Sequence, residues 1–326
     1  MNTDTYKAKI SHIVPTFLVI GASSVAGFML VRWLNILFNI IDFKDRIWEL
    51  YIPMALPWIP IILWLRPRLR ILAFKKKGIL GFRDNESGRF FFQLIAWITI
   101  GLSMAISQAY LTTATGKLVN LKNINEIAFK ENVRYYKVST FTVDTAHASA
   151  YTDFHITGKH NQTLNFDSYF VIPIVNKNTK STSNNKYWYG IYFHDDVSNH
   201  LSDTEKESAF RAFYKSSLKQ LSEYDFYNID HFERVPTSDK KDFYFKAIQN
   251  SIKKPADAGY AVLTPIKDTY EKRNGNKLIW IFGSFIIGLV FFLLALLAPI
   301  YNRAAREKFL RRENPKSDDV ADMPKC

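Results

Sequence analysis

The sequence predicts a membrane α-helical protein of about four transmembrane helices that carries an extracytoplasmic α+β domain. Three observations predict it. Uncharged apolar runs long enough to cross a bilayer occur near both ends of the chain. Lysine and arginine crowd the segment 66–89, which holds eight of them against two acidic residues. Between the apolar runs, residues 113–276 change character to a mixture of strand and helix patterns with many charges.

Residues 278–300, 90–111 and 13–31 contain no charge. A span needs about 20 mostly apolar residues, and each of these runs meets that requirement. Residues 52–65 are shorter and contain Pro53, Pro57 and Pro60. Each proline removes a backbone donor and frees a carbonyl, so this segment is expected to be kinked, as a full span or a re-entrant one. Lys7 and Lys9 before the first run give it the look of a signal peptide. The apolar sequence continues past any cleavage point, so an uncleaved anchor is expected. Gly21, Ala22, Ser23, Ala26 and Gly27 are small enough for another helix to approach closely.

Positive charge flanking a span stays in the cytoplasm. Residues 66–89 and the tail 301–326, with seven basic against five acidic residues, are therefore expected inside. The organisation that follows is a membrane region 1–112 with spans 13–31, 52–65 and 90–111 and a basic loop 66–89. An extracytoplasmic domain 113–276 comes next, then a fourth span 277–300 and a cytoplasmic tail 301–326. Both termini would lie inside, with the chain integral to a bacterial inner membrane. In the loop, Arg66, Arg68, Arg70, Lys75, Lys76 and Lys77 are the expected contacts to lipid headgroups. Leu69, Ile71, Leu72, Phe74, Ile79, Leu80 and Phe82 would lie in the interface beside them. Membrane flanks already explain the net charge of +13, so nucleic acid is not expected as a partner. Gln93 and Gln108, inside a span, are polar but neutral, and hydrogen bonds between helices would explain them. Arg32, at a span end, is expected to snorkel. With spans this clean, ion transport by this chain alone is disfavoured.

Within 113–276, residues 134–144, 164–175 and 186–195 are rich in aromatic and β-branched residues and predict strands. Phe166, Phe170, Ile172 and Ile174 share one face by the two-residue period. Ser202 and Glu205 form a capping box before a helix whose apolar face is Phe210, Phe213, Tyr214, Leu218 and Leu221. A strand near 226–235, a helix capped by Ser238 with Phe243, Ala247 and Ile248 on its buried face, and a strand at 260–266 complete the pattern. Strands followed by helix, strand, helix, strand predict an antiparallel or mixed sheet.

The chemistry is sparse. The single cysteine, Cys326, excludes a disulfide framework and any Cys-based zinc site. Asp153 and His155, two apart, share a strand face. His160 follows the Gly158 turn, so these three residues are the candidate metal ligands. His194, Asp195 and Asp196 adjoin at a strand end, but no G-x-S-x-G elbow accompanies them. Tyr187, Trp188, Tyr189 and Tyr192 form either a recognition surface or a core face. No catalytic residue and no cofactor are assigned.

The segments PWIPIILWLRPRLRIL, GRFFFQLIAW, TTATGKL and NFDSYFVIPI resemble the N-terminal membrane region and appended domain of some bacterial proteins catalogued with the rhomboid family. The resemblance does not extend to the protease motifs. A rhomboid protease carries its serine in G-x-S-G, where this chain has GASS at 21–24, and no histidine lies within a predicted span. Proteolysis is therefore not implied. The expected function is a non-enzymatic integral membrane protein that presents an extracytoplasmic interaction domain, as an envelope scaffold or complex subunit. Its partners would be membrane lipids and another envelope protein. The alternatives are a divergent membrane hydrolase, rhomboid-like or metal-dependent, and a transporter subunit in which the segment around Pro57 and Pro60 moves.

Overall fold

The computed structural model describes residues 3–38, 40–41, 43–44, 46–74, 84–130, 133–176, 185–253 and 259–307. In chain order the elements begin with α1 (Thr3–Phe38), α2 (Ile47–Ile71), β1 (Leu72–Ala73) and α3 (Asn85–Ala114). There follow β2 (Leu118–Asn123), β3 (Tyr135–Thr140), β4 (Thr142–Val143), β5 (Ser149–Thr157), β6 (Thr163–Val175) and β7 (Tyr187–Ser198). The chain ends through α4 (Asp203–Ser222), β8 (His231–Arg234), α5 (Asp239–Ile252), β9 (Ala261–Ile266), α6 (Lys277–Ala295) and β10 (Ile300–Tyr301). Residues 1–115 with 274–326 make one compact unit and 116–273 the other.

The first unit holds four helices long and apolar enough to cross a membrane. Its core centres on three phenylalanines from three helices. Phe17 stacks on Phe292 at 4.6 Å, and Phe92 meets Phe292 edge-on at 5.3 Å. α3 is the central element. Phe92, Ala96, Thr99, Ser103, Met104 and Ser107 recur on its buried face every three to four residues. A side chain at Gly288 of α6 would collide with Thr99, and Ser103 Oγ lies 3.0 Å from Ser284 Oγ. Small residues thus bring the α3 and α6 backbones together, and a polar pair fixes their register. The outward faces carry large apolar residues such as Val19, Ile59, Ile98, Ile279, Phe282 and Ile287. A continuous apolar exterior of this kind suits hydrocarbon better than water.

Several expectations change. α1 extends well beyond 13–31 in both directions, because its amphiphilic flanks contain no helix breaker. α2 is a 25-residue helix rather than the 14 residues expected, about 37 Å at 1.5 Å per residue. Its helical ladder is irregular around the prolines. π-helical turns occupy Ile47–Tyr51 and Ile61–Leu65, and the Trp97 indole donates to Met54 O at 2.5 Å. α6 stops at Ala295, short of residue 300, because Pro299 cannot continue a helix and biases its predecessor to extended geometry. Ile300 and Tyr301 then pair antiparallel with Ala73 and Leu72. Lys9, buried on α1, donates to Leu296 O and Pro299 O and so caps the carbonyl end of α6.

Of the small residues in α1, only Gly21 makes the close approach, against the Phe285 ring. Ala22, Ser23, Ala26 and Gly27 face outward. Arg32 does not snorkel. It is buried, donates through Nε to Gln108 Oε1 at 2.7 Å and lies 4.7 Å from the Trp48 ring centre. Gln108 therefore does join two helices, whereas Gln93 bonds to Arg89 O in its own helix.

The second unit is an α+β domain with a mixed sheet of order β2-β3-β8-β9-β7-β6-β4, and β5 also pairs with β6. β2 with β3 and β7 with β9 are parallel; the other pairs are antiparallel. β6 is buried from Asn165 to Val175, because elements cover both of its faces. Phe170, Ile172 and Ile174 join Tyr189, Phe232 and Leu263 on one side, while Tyr169 and Val171 join Trp188, Tyr244 and Ile248 of α5 on the other. The Ser202–Glu205 capping box forms as expected. α4 uses a narrower face than expected: Phe213 and Ser217 are buried, and Leu218 is exposed. In α5, Tyr244 is buried with Ala247 and Ile248, and Phe243 only partly. β2 and the full length of β5 were not among the expected strands.

Candidate functional site

The expected site residues divide between the units. In the first unit Arg66 and Arg70 are exposed and Arg68 is partly buried, its Nη1 3.5 Å from His12 O. Lys75, Lys76, Lys77, Ile79, Leu80 and Phe82 lie outside the described residues. Leu69, Ile71 and Leu72, expected in the interface, are fully buried core residues instead. Leu69 and Ile71 end α2 and Leu72 begins β1, and all three pack into the core of the first unit.

In the second unit, β5, β6 and β7 present rows of side chains on one sheet face. Strand alternation makes the rows, since residues two apart share a face and antiparallel register aligns them. Asp153 pairs with Asp167 and Asp167 with His194, giving one row across three strands. The next row is Tyr151, Tyr169 and Tyr192, and on the other side lie His155, Asn165 and Asp196. α5 covers the aromatic end of this face, where Tyr169 meets Tyr244 edge-on at 5.2 Å. The polar end extends beyond Phe243 and Tyr244.

Asp167 is the centre of the cluster. Its nearly buried carboxylate accepts a hydrogen bond from Tyr192 Oη at 2.5 Å and one from His194 Nδ1 at 2.7 Å. His155 Nδ1 lies 3.2 Å from its other oxygen and 3.8 Å from Asp153 Oδ2. A carboxylate oxygen accepts, so His194 Nδ1 is the donor of this pair. Both imidazoles are about half exposed, at 46% and 44% for His155 and His194. Burial, followed by the bond to Asp167 and its charge, holds the Tyr192 hydroxyl well above its usual range. Tyr192 therefore stays a proton donor to the carboxylate. Lys240 of α5 lies 5.1 Å above the Tyr192 ring and rims the cluster with positive charge.

This arrangement suits recognition of a polar group, through two oriented imidazole edges over one anchored carboxylate. It brings together Asp153 and His155 of the expected metal trio but not His160, which is exposed in the turn between β5 and β6. Among the described residues, no group of three or more His, Cys, Asp or Glu is placed to hold a metal ion. Ser168, next to Asp167 in sequence, points to the opposite face and bonds to Thr152 at 2.7 Å, so it is no nucleophile for His194. Sequence reasoning offers Tyr192 as part of a recognition surface but misses Asp167. The available signal was a lone carboxylate two residues before the apolar run Tyr169 to Ile174. Tyr187, Trp188 and Tyr189 prove to be core, and only Tyr192 of that aromatic run reaches the surface.

The same strands offer an edge. Among the described residues β5 pairs with β6 alone, and Asn250 of α5 donates to Ala150 O near its start. Further along, Phe154 and Ile156 are half exposed on the face opposite His155. The strand contains no lysine or proline to blunt pairing. Comparison with known proteins leaves the site to its own chemistry: no protein-family model, no curated protein and no solved structure matches the chain.

Proposed function

We propose that this chain is a non-enzymatic integral membrane protein of the bacterial inner membrane, which presents residues 116–273 outside the cytoplasm to bind another envelope component. The four long apolar helices support the membrane assignment. The basic segment 66–89 supports the orientation, since its charge holds that end of the spans in the cytoplasm together with both termini.

The observation that carries the binding function is β5. It is a nine-residue edge strand with exposed Phe154 and Ile156 on one face and the Asp167-anchored histidines on the other. A partner segment added along that edge would gain main-chain hydrogen bonds, and side-chain pockets on either face would read its sequence. The partner expected is an extended peptide of another envelope protein.

Two measurements test this. Reporter fusions at residues 5, 80, 200 and 320 should give a cytoplasmic signal at all but 200. A photo-crosslinking residue at 154 or 156 in intact cells should capture a discrete partner, and the same residue at 207 on the far surface of α4 should not. A cytoplasmic signal at 200 would overturn the orientation. Identical crosslinking from all three positions would overturn the role of β5.

A further inference from the structure

The first unit contains a cavity of about 650 Å³ between α2 and α3. Its walls are apolar: Trp58 and Ile62 from α2, Phe90 and Leu94 from α3. Trp58 stacks on Phe90 at 6.1 Å and on Trp97 at 5.7 Å, which sets its ring as a rigid wall. Phe90 and Ile62 are about half exposed, so the cavity opens sideways along the helices. From Trp58 to Arg66 the helix climbs eight residues, about 12 Å. At the upper end stand two opposite charges, Arg66 and Glu86, both lining the cavity.

These charges are poorly satisfied by each other. Arg66 Nη2 is 3.6 Å from Glu86 Oε2, too long for a hydrogen bond. Both side chains are open, at 51% and 66% exposure. Glu86 Oε1 is held by Arg89 Nη1 at 2.8 Å, which leaves Oε2 as the oxygen beside Arg66. Among the described residues, Arg66 and Glu86 Oε2 meet only in this long ion pair, so an exposed guanidinium and an exposed carboxylate stand side by side at the end of an apolar slot.

We infer that this cavity is a binding site for a phospholipid with a primary-amine headgroup, drawn from the surrounding bilayer. The inference rests on the membrane assignment above but goes beyond it. An acyl chain lies along Trp58, Ile62, Phe90 and Leu94. The phosphate takes the guanidinium of Arg66, whose fork of donors matches phosphate oxygens. The ammonium, two carbons away, donates to Glu86 Oε2. The pair of charges sets the selectivity. A quaternary choline ammonium has no N–H to donate to Glu86. A glycerol headgroup brings only negative charge, which Glu86 opposes. The amine headgroup alone satisfies both residues.

Native mass spectrometry of the full chain in detergent, with equal amounts of phosphatidylethanolamine, phosphatidylcholine and phosphatidylglycerol, tests the inference. The amine lipid should be retained in preference to the other two. Glu86→Gln should reduce that preference about tenfold, the factor that removing one charge-assisted hydrogen bond produces. Arg66→Gln should weaken all three lipids, and Ile62→Trp should exclude them by filling the slot. Both charged positions are exposed, so folding is not at stake. Equal retention of the three lipids, or a preference untouched by Glu86→Gln, would overturn the inference. The membrane assignment fails by a different result, release of the chain from membranes by alkaline carbonate.

Discussion

Lys9 and Pro299 are 290 residues apart in sequence, and the Lys9 ammonium lies 3.0 Å from the Pro299 carbonyl oxygen. The same ammonium donates to Leu296 O at 2.5 Å. A helix end leaves its last carbonyls without partners, and here a side chain from another helix supplies them. Lys9→Met keeps the stem and removes the donor. It should lower the stability of the first unit by about 1–3 kcal/mol, the range for orphaning buried acceptors. Thermal unfolding in detergent reads this directly; an unchanged midpoint would show that solvent already satisfies these carbonyls.

A second prediction concerns the close approach of α3 and α6. Gly288→Ala places a methyl against Thr99 and should destabilise the packing by about 1–3 kcal/mol. Thr99→Ala in the same chain should recover part of the loss, because the two nearest clashing atoms are then gone. Ser103→Ala alone removes one bond across the helices and should lower stability by about 0.6 kcal/mol. Unfolding in mixed detergent measures all three.

Asp167→Asn tests the polar cluster. The amide oxygen can still accept from Tyr192 Oη and His194 Nδ1, which share one carboxylate oxygen, but the charge that strengthens both bonds is lost and an NH2 replaces the oxygen 3.2 Å from His155 Nδ1. The second unit should lose about 1–3 kcal/mol. Denaturant unfolding of the full chain, followed by Trp188 emission in the core of this unit, reports the change.

The buried tyrosines set the response to alkali. Tyr169, Tyr189, Tyr192 and Tyr244 are all pushed above the ordinary value of 10.0, each first by burial. Unfolding releases these hydroxyls to ionise at their ordinary value, so above about pH 10 the unfolded state binds fewer protons than the folded one. The stability these groups give is complete below pH 10 and falls as pH rises beyond it. Tyr244→Phe should flatten the fall between pH 10 and 11, with little change at pH 7. A pH series of unfolding midpoints gives the slope, and the same slope in wild type and variant would assign the fall to other residues.

On the acid side the opposite sign applies. Burial raises the Asp230 carboxyl, but bonds from His231, Lys137 and the Tyr270 amide outweigh it, so its proton affinity falls below the usual 3.8. A lowered carboxylate stabilises above its unfolded value and loses that contribution as pH drops through the folded one. Asp230→Asn should therefore reduce stability at pH 7 and bring the curves of variant and wild type together below pH 3.

Much of this architecture was legible because hydrophobic period and length carry it. The runs 13–31, 90–111 and 278–300 contain no charge, and β6 from Tyr169 to Val175 and β7 from Tyr187 to Phe193 each stay apolar or aromatic, apart from Gly190, over seven residues. What the sequence concealed depends on contacts between distant segments. For β5 the sequence marks only the shared strand face of Asp153 and His155, not the extent of the strand. Their strand forms on nine register pairs with β6. Asp167 is noticeable only as a carboxylate before an apolar run, and its role depends on His194, 27 residues away. Arg32 looked solvated because its partners, Gln108 and Trp48, are not neighbours in sequence. Leu69, Ile71 and Leu72 looked interfacial because arginines stand among them, although the end of α2 and the start of β1 place them in the core.

The pairing of β1 with β10 bears on how the chain comes to be made. Residues 72–73 meet their partners only after 300–301 have been synthesised, and Phe92 and Gly21 wait for α6 in the same way. The ribosome must finish the entire 116–273 lobe before the first unit can close. A nascent chain arrested in that lobe leaves three helices with an uncovered flank, so a single late event, the arrival of the last apolar helix, separates a finished molecule from one that quality control can recognise.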